Sequence, residues 1–171
     1  MHFDMREGNE LWQIDAFTYR LFDVAHTQVT IYQVVDDASR FDVGSQAFGT
    51  PENGTDARIT LSGAIDAYGL PQEVLSDNGD AFATYHRGRL SQTERWLASL
   101  GVQSSAGFAP TTQGKDERSH QTLTRFLDAR NPTTLAQVQQ LIVAYRNVYN
   151  TRRRHQGRLR CKMHITPAQA W

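Results

Sequence analysis

Three acids stand where an acid needs a reason. Asp15 interrupts an apolar run, between Ile14 and Ala16-Phe17. Asp77 closes the run in VLSDNGDAF and is followed at once by Asn78-Gly79. Glu117 lies in QGKDERSHQTL, where a polar loop gives way to a helical pattern. A strand disfavours Asp, and a buried carboxylate without a partner is costly. Asp15 therefore needs a cation, hydrogen-bond donors or exposure at a sheet edge. Asp77 can be turn chemistry, because Asp and Asn are common turn residues. Glu117 can serve the positive end of a helix dipole. The chemical alternative joins all three, since a set of carboxylates suits a hard divalent cation.

The elements that must position these acids follow from periodicity. Segments 11–18 (LWQIDAFT), 28–35 (QVTIYQVV) and 41–48 (FDVGSQAF) read as strands. Their short connections make an antiparallel meander the simplest arrangement. Over 51–71 the period changes. Ile59, Leu61, Ile65 and Tyr68 share one helical stripe, and Gly69 with Pro71 forms a stop. A crossover helix makes the next strand, 72–76 (QEVLS), parallel to an earlier one. Open α/β sheets place ligands at such strand ends, which is where Asp77 falls.

The second half is mostly helical. Residues 89–100 set Leu90, Trp96, Leu97 and Leu100 on one face, with Gly101 as the residue after the cap. VQSSAG is a short fifth strand and APTTQGK a loop. A helix from about Asp116 turns Leu123, Phe126 and Leu127 inward and ends near Asn131-Pro132. Thr133 or Thr134 caps a last long helix carrying Leu135, Val138, Ile142, Tyr145 and Tyr149. Trp12, Phe17 and Trp96 read as core. The expected fold is α/β: a five-stranded mixed sheet, three antiparallel strands then parallel ones, flanked by helices. Residues 1–171 form one domain, with 1–10 as a lead-in and 151–171 as a basic tail.

Composition sets the class. The chain has 171 residues, 39% hydrophobic and 21% charged, as a globular domain with a sizeable core should. The lone Cys161 excludes an internal disulfide and a multi-cysteine zinc site, and suits a reducing cytosol. Neither a membrane span nor a signal peptide is visible, so a cytoplasmic location is expected. Net charge is zero, but it is unevenly spread. Residues 1–110 hold 7 Lys+Arg and 15 Asp+Glu, a net of −8. Residues 111–171 hold 11 Lys+Arg and 3 Asp+Glu, a net of +8. A basic end on an acidic body points to a polyanion partner as readily as to a solvated helix surface.

WQIDAF, VLSDNGDAF and QGKDERSHQTL resemble the three signature segments of the DDE-type transposase and retroviral-integrase catalytic core, in the insertion-sequence branch of the ribonuclease-H-like fold. YNTRRRHQ and ITPAQAW are similar to the Asn-x-x-Arg-x-His and Thr-Pro-x-x-Ala-Trp tail of that branch. The five segments run in order from about residue 11 to 171. Two departures stand out. The 39 residues between Asp77 and Glu117 slightly exceed the family's usual spacing, with the extra length placed around ATYHRGR. Asp116 adjoins Glu117, and only one of two adjacent helix residues can face the other acids; Glu117 is the choice.

The resemblance implies a divalent-metal-dependent polynucleotidyl transferase. Asp15, Asp77 and Glu117 would be its catalytic, metal-binding triad, holding Mg²⁺ or Mn²⁺, as two ions. Two ions roughly 3.5–4 Å apart can serve both the attacking and the leaving oxygen of an in-line displacement, and no protein nucleophile is required. The implied activity is DNA cleavage and strand transfer, with transposon ends and target DNA as partners. Synapsis of two ends favours a homo-oligomer. Lys115, Arg118, Arg152, Arg153, Arg154 and Arg158, with Arg160, are the candidate phosphate contacts. His120 and His155 could orient DNA or water, though a structural or solvent-facing role is the simpler reading.

Two other readings remain open at this point. A ribonuclease-H-type hydrolase commonly adds an acid, usually Glu, on the first helix, where this chain offers only Asp56 and Asp66. A catalytically dead nucleic-acid-binding or oligomerisation module is the other. Transposases of this branch usually carry a helix-turn-helix region before the core, so an excised core with weak, nonspecific DNA binding is expected.

Overall fold

The computed structural model describes residues 9–76, 90–106, 120–152, 159–160 and 163–171. Strand β1 spans Leu11–Arg20, β2 Gln28–Asp36 and β3 Asp42–Phe48. Helix α1 spans Gly54–Tyr68, β4 Glu73–Ser76, α2 Gln92–Ser99 and β5 Gln103–Ala106. A helical run at 120–128 is α3, and α4 spans Leu135–Arg152. A two-residue hairpin, β6 (Leu159–Arg160) with β7 (Met163–His164), precedes α5 at Pro167–Ala170. The main sheet has the order β3-β2-β1-β4-β5. The pairs β1–β2 and β2–β3 are antiparallel, and β1–β4 and β4–β5 are parallel. The expected meander followed by parallel strands is what forms.

Strand alternation sends side chains to two layers. Trp12, Ile14, Tyr32, Val34 and Val74 face one way and pack with Ala57, Leu61 and Ala64 of α1 and Leu97 of α2. Tyr19, Val29 and Ile31 face the other way, against Leu123 and Leu127 of α3 and Val138, Ile142, Tyr145 and Tyr149 of α4. Phe17 packs at the edge of this second cluster.

Caps and turns end the helices as the residue types require. Asn53 caps α1 by accepting from the Asp56 N–H, and its backbone is pinned to β2 through the Tyr32 hydroxyl. Ser91 and Glu94 form a reciprocal capping box on α2. Gly101, at φ +77, closes that helix. The Gly101 N–H reaches Ala98 O and the Val102 N–H reaches Leu97 O, a Schellman pattern. Thr134, rather than Thr133, caps α4, accepting from the Gln137 N–H at 3.2 Å.

Four expected core positions are corrected. Ile59, Leu90, Leu100 and Leu135 are exposed. On α1 the buried stripe is Asp56, Ala57, Thr60, Leu61 and Ala64. Its small residues let the helix approach β3, where a Cβ on Gly44 would lie 3.0 Å from that of Ala64. On α2 only Thr93 and Leu97 are buried, with Trp96 partly so. Leu90 and Leu100 flank this short helix on either side and are exposed.

Candidate active site

Asp15 is in the middle of β1, which is the central strand of the five. Edge exposure is therefore not how its carboxylate is accommodated. Hydrogen-bond donors are. The Ala16 N–H donates to Asp15 Oδ1 at 2.7 Å. His120 Nε2, from α3, lies 3.1 Å from Asp15 Oδ2. The Asp15 side chain keeps a quarter of its surface open to solvent, so the carboxylate is both held and accessible.

His120 is itself packed. Its ring lies 4.5 Å, centroid to centroid, from Phe17, two residues after Asp15 on the same face of β1. The simpler sequence reading of His120, as structural or solvent-facing, missed its place beside Asp15. A signal was present: His120 follows Glu117 by three residues, the spacing of one helix face. Helix α3 is fixed at its far end too. The Tyr19 hydroxyl of β1 donates to Asp128 Oδ1 at 3.0 Å. Burial, then the bond to Asp128 and its negative charge, push the Tyr19 phenol well above its usual range. The Phe22 N–H donates to Pro132 O at 2.8 Å just beyond the helix.

The strand next to Asp15 completes the described part of the site. Strand β4 runs parallel to β1, and its last residue, Ser76, pairs with Ile14. Asp77 follows Ser76 directly in the sequence. Asp77, Lys115, Asp116, Glu117, Arg118, Arg153, Arg154, His155 and Arg158 lie outside the described residues. Arg152 is described and exposed, in the last turn of α4. Among the described residues no three His, Cys, Asp or Glu side chains gather as a metal-binding group.

A polar row crosses the sheet from Asp15. Gln33 of β2 is its paired neighbour, and Ser45 of β3 is paired with Gln33. Gln33 Nε2 and Ser45 Oγ both donate to Asp42 Oδ2, at 3.1 and 2.6 Å. Arg146 Nε of α4 donates to Asp42 Oδ1 at 2.9 Å, and Arg146 Nη2 to Asp42 O at 3.0 Å. Asn150 accepts from the Asp42 N–H at 2.9 Å and donates to its carbonyl at 3.1 Å. Asn150 is the Asn of the Asn-x-x-Arg-x-His segment, so in that motif it locks the end of α4 to β3.

The Thr-Pro-x-x-Ala-Trp segment has a structural task as well. Trp171, which follows α5, stacks on Phe41 at 5.0 Å just before β3 and meets Tyr68 of α1 edge-on at 5.7 Å. Asp56, one of the two acids on the first helix, is committed elsewhere. Its Oδ2 accepts from Thr50 Oγ1 and from Asn53 Nδ2, at the start of a helix packed on the opposite face from Asp15. Asp66 is exposed.

Comparison with known proteins agrees with this fold. Residues 6–109 match the family model of the integrase core domain, and residues 100–160 match a second integrase core domain model. The catalytic core domain of the HTLV-2 integrase, a structure in complex with magnesium, superposes with a TM-score of 0.71 at 19% identity, covering 96% of this chain and 97% of that one. The catalytic core domain of the BIV integrase gives a TM-score of 0.65 at 23% identity, covering 95% and 93%. A simian T-cell lymphotropic virus intasome chain gives 0.71 at 20% identity, with 98% of this chain and 58% of that one covered. With its five-stranded mixed sheet between helices and a family match across more than half its length, the chain belongs to the integrase core domain family, the transposase and integrase catalytic cores of the ribonuclease-H-like fold.

Proposed function

We propose that this integrase core cuts and joins DNA strands with Mg²⁺ or Mn²⁺ held by Asp15, Asp77 and Glu117. One observation carries the reading: of the described residues nearest in sequence to the other two acids, one touches Asp15 and the other pairs with its chain neighbour Ile14. Ser76 is paired with Ile14, and one peptide link, about 3.8 Å between Cα atoms, separates it from Asp77. His120 touches Asp15, and three links, at most roughly 11 Å, separate it from Glu117.

The donor chemistry fits. Asp15 offers carboxylate oxygens at a partly open position, and carboxylates without thiolates suit hard divalent ions. A bound pair of such ions would stabilise the charge that builds on the attacking and leaving oxygens during phosphoryl transfer. The chain's own contribution is positioning. Strand β1 and helix α3, joined through Asp15, His120, Tyr19 and Asp128, hold the acids' supports in a fixed relation. The basic residues Lys115, Arg118, Arg152, Arg153, Arg154 and Arg158 would take DNA phosphates. Magnesium in the HTLV-2 core supports the choice of metal, and that core's dimeric and trimeric forms support a homo-oligomer. The commitment of Asp56 to the α1 cap weighs against a ribonuclease-H-type site with an acid on the first helix.

The test uses Mn²⁺-dependent nicking of supercoiled plasmid and joining of a labelled oligonucleotide 3′ end to that plasmid. Asp77→Asn should abolish both reactions with the fold intact by circular dichroism. Equal activity of wild type and Asp77→Asn refutes the assigned role.

A further inference from the structure

We propose that His120 is a positioning residue: its imidazole fixes the orientation of the Asp15 carboxylate toward a divalent cation. This rests on the reading of Asp15 as a metal ligand. An Asp carboxylate turns easily about its last torsion, which has no sharp staggered minima. Here the two oxygens have different donors on different elements. Oδ1 accepts from the Ala16 N–H at 2.7 Å, and Oδ2 faces His120 Nε2 at 3.1 Å. Two donors on two oxygens define the carboxylate plane. Each carboxylate oxygen has two lone pairs, so an oxygen that accepts one of these bonds can also ligate a cation.

The donor is as constrained as the group it holds. The His120 side chain is 19% exposed and packs against Phe17 at a 32° tilt. Leu123 and Leu127, three and seven residues on, are fully buried and lock that face of α3 against the sheet. A flexible surface histidine would have neither anchor. Groups that orient a metal ligand without touching the ion typically contribute about 10–100-fold in metal affinity or activity.

The experiment titrates Mn²⁺ into the metal-free protein, following free Mn²⁺ by electron paramagnetic resonance, beside the plasmid nicking assay. Three variants divide the roles of the ring. His120→Phe keeps a ring to pack on Phe17 but has no donor. His120→Ala has neither. His120→Gln carries an amide nitrogen near the position of Nε2. The Phe and Ala variants should bind Mn²⁺ about tenfold more weakly, with nicking partly recovered at saturating Mn²⁺. The Gln variant should recover most of the affinity. A merely structural ring predicts another order, with Phe close to wild type and Gln as poor as Ala, and that order overturns the proposal.

Asp15→Asn separates the two levels of the reading. If it binds Mn²⁺ and nicks like wild type, the metal-ligand reading fails first. If it loses both while His120→Phe and His120→Ala match wild type in affinity, only the role of His120 fails.

Discussion

Arg146 reaches across from α4 to Asp42 of β3, placing its Nε 2.9 Å from a carboxylate that is wholly buried. The two residues are 104 positions apart, and their contact joins the last long helix to the outer strand of the meander. Removing one partner of a buried pair costs more than the pair itself contributes, because a charge is left without compensation. Arg146→Met should therefore lower the unfolding free energy at pH 7 by about 3 kcal/mol. The check is the urea midpoint at constant slope. A loss below about 0.5 kcal/mol, as for an exposed pair, would show that Asp42 is satisfied without the guanidinium.

The same carboxylate gives a pH dependence with a definite sign. Burial raises the Asp42 pKa above its ordinary value, and Arg146, Ser45 and Gln33 offset the rise only in part. The folded state therefore holds its proton to higher pH than the unfolded chain does. The stability Asp42 contributes is complete below the ordinary carboxylate pKa and is lost as pH rises through the raised value. Asp42→Asn keeps an acceptor for Arg146 and removes this titration. Denaturant titrations from pH 3.5 to 7 should show the variant gaining on wild type as pH rises. A difference independent of pH would contradict the shift.

Local pattern and distant contact were not equally legible in the sequence. The order of the main-sheet strands and their helices, the mid-strand place of the first strand's acid and the stop at Gly101 follow from side-chain period and turn chemistry, which act over a few residues. What failed depends on partners far along the chain. The stripe through Ile59, Leu61, Ile65 and Tyr68 counted large apolar residues. The contact of α1 with β3 is set by small ones, Ala64 against Gly44, and leaves Ile59 in solvent. The Asp42 network has no local signature, because Asp42, Arg146 and Asn150 meet only after the sheet and α4 have packed. Asp15 was legible as a residue in need of a partner. That the partner includes His120 was legible only indirectly, through its three-residue spacing from Glu117, since 105 positions separate it from Asp15.

The α1–β3 contact makes a prediction of its own. A methyl group on Gly44 would sit 3.0 Å from Ala64 Cβ, tight enough that the helix must give by a few tenths of an ångström, while Thr60 O at 3.5 Å is an ordinary contact. Gly44→Ala should destabilise by about 1–3 kcal/mol through overpacking. Ala64→Gly removes the opposing methyl and costs about 1 kcal/mol by helix propensity. The double variant should be more stable than the sum of the two losses predicts, because each change relieves the other. Thermal or urea unfolding of the four proteins measures that coupling, and strict additivity would place the strain of Gly44→Ala somewhere other than Ala64.

The basic end of the chain bears on DNA affinity, where salt gives the sharpest reading. Arg152 is exposed in the last turn of α4, whose register on β3 is held by Asn150 two residues earlier. Arg153, Arg154 and Arg158 follow it in the sequence. If these side chains neutralise phosphates, each contact releases counterions and adds about 0.9 to the slope of log affinity against log salt. Replacing all four by Gln should reduce that slope by about 2–4 on a random duplex and weaken binding at low salt without regard to sequence. The loss of Arg152, which sits where a helix dipole favours a cation, should lower stability by less than about 1 kcal/mol. Fluorescence anisotropy between 50 and 200 mM salt gives the slope for both proteins. Equal slopes would remove these four arginines from the DNA interface and shift attention to Lys115 and Arg118. Where the slope does fall, Asn150→Ala completes the comparison. Releasing the end of α4 from Asp42 should weaken DNA binding only if the arginines must be presented from a fixed helix end.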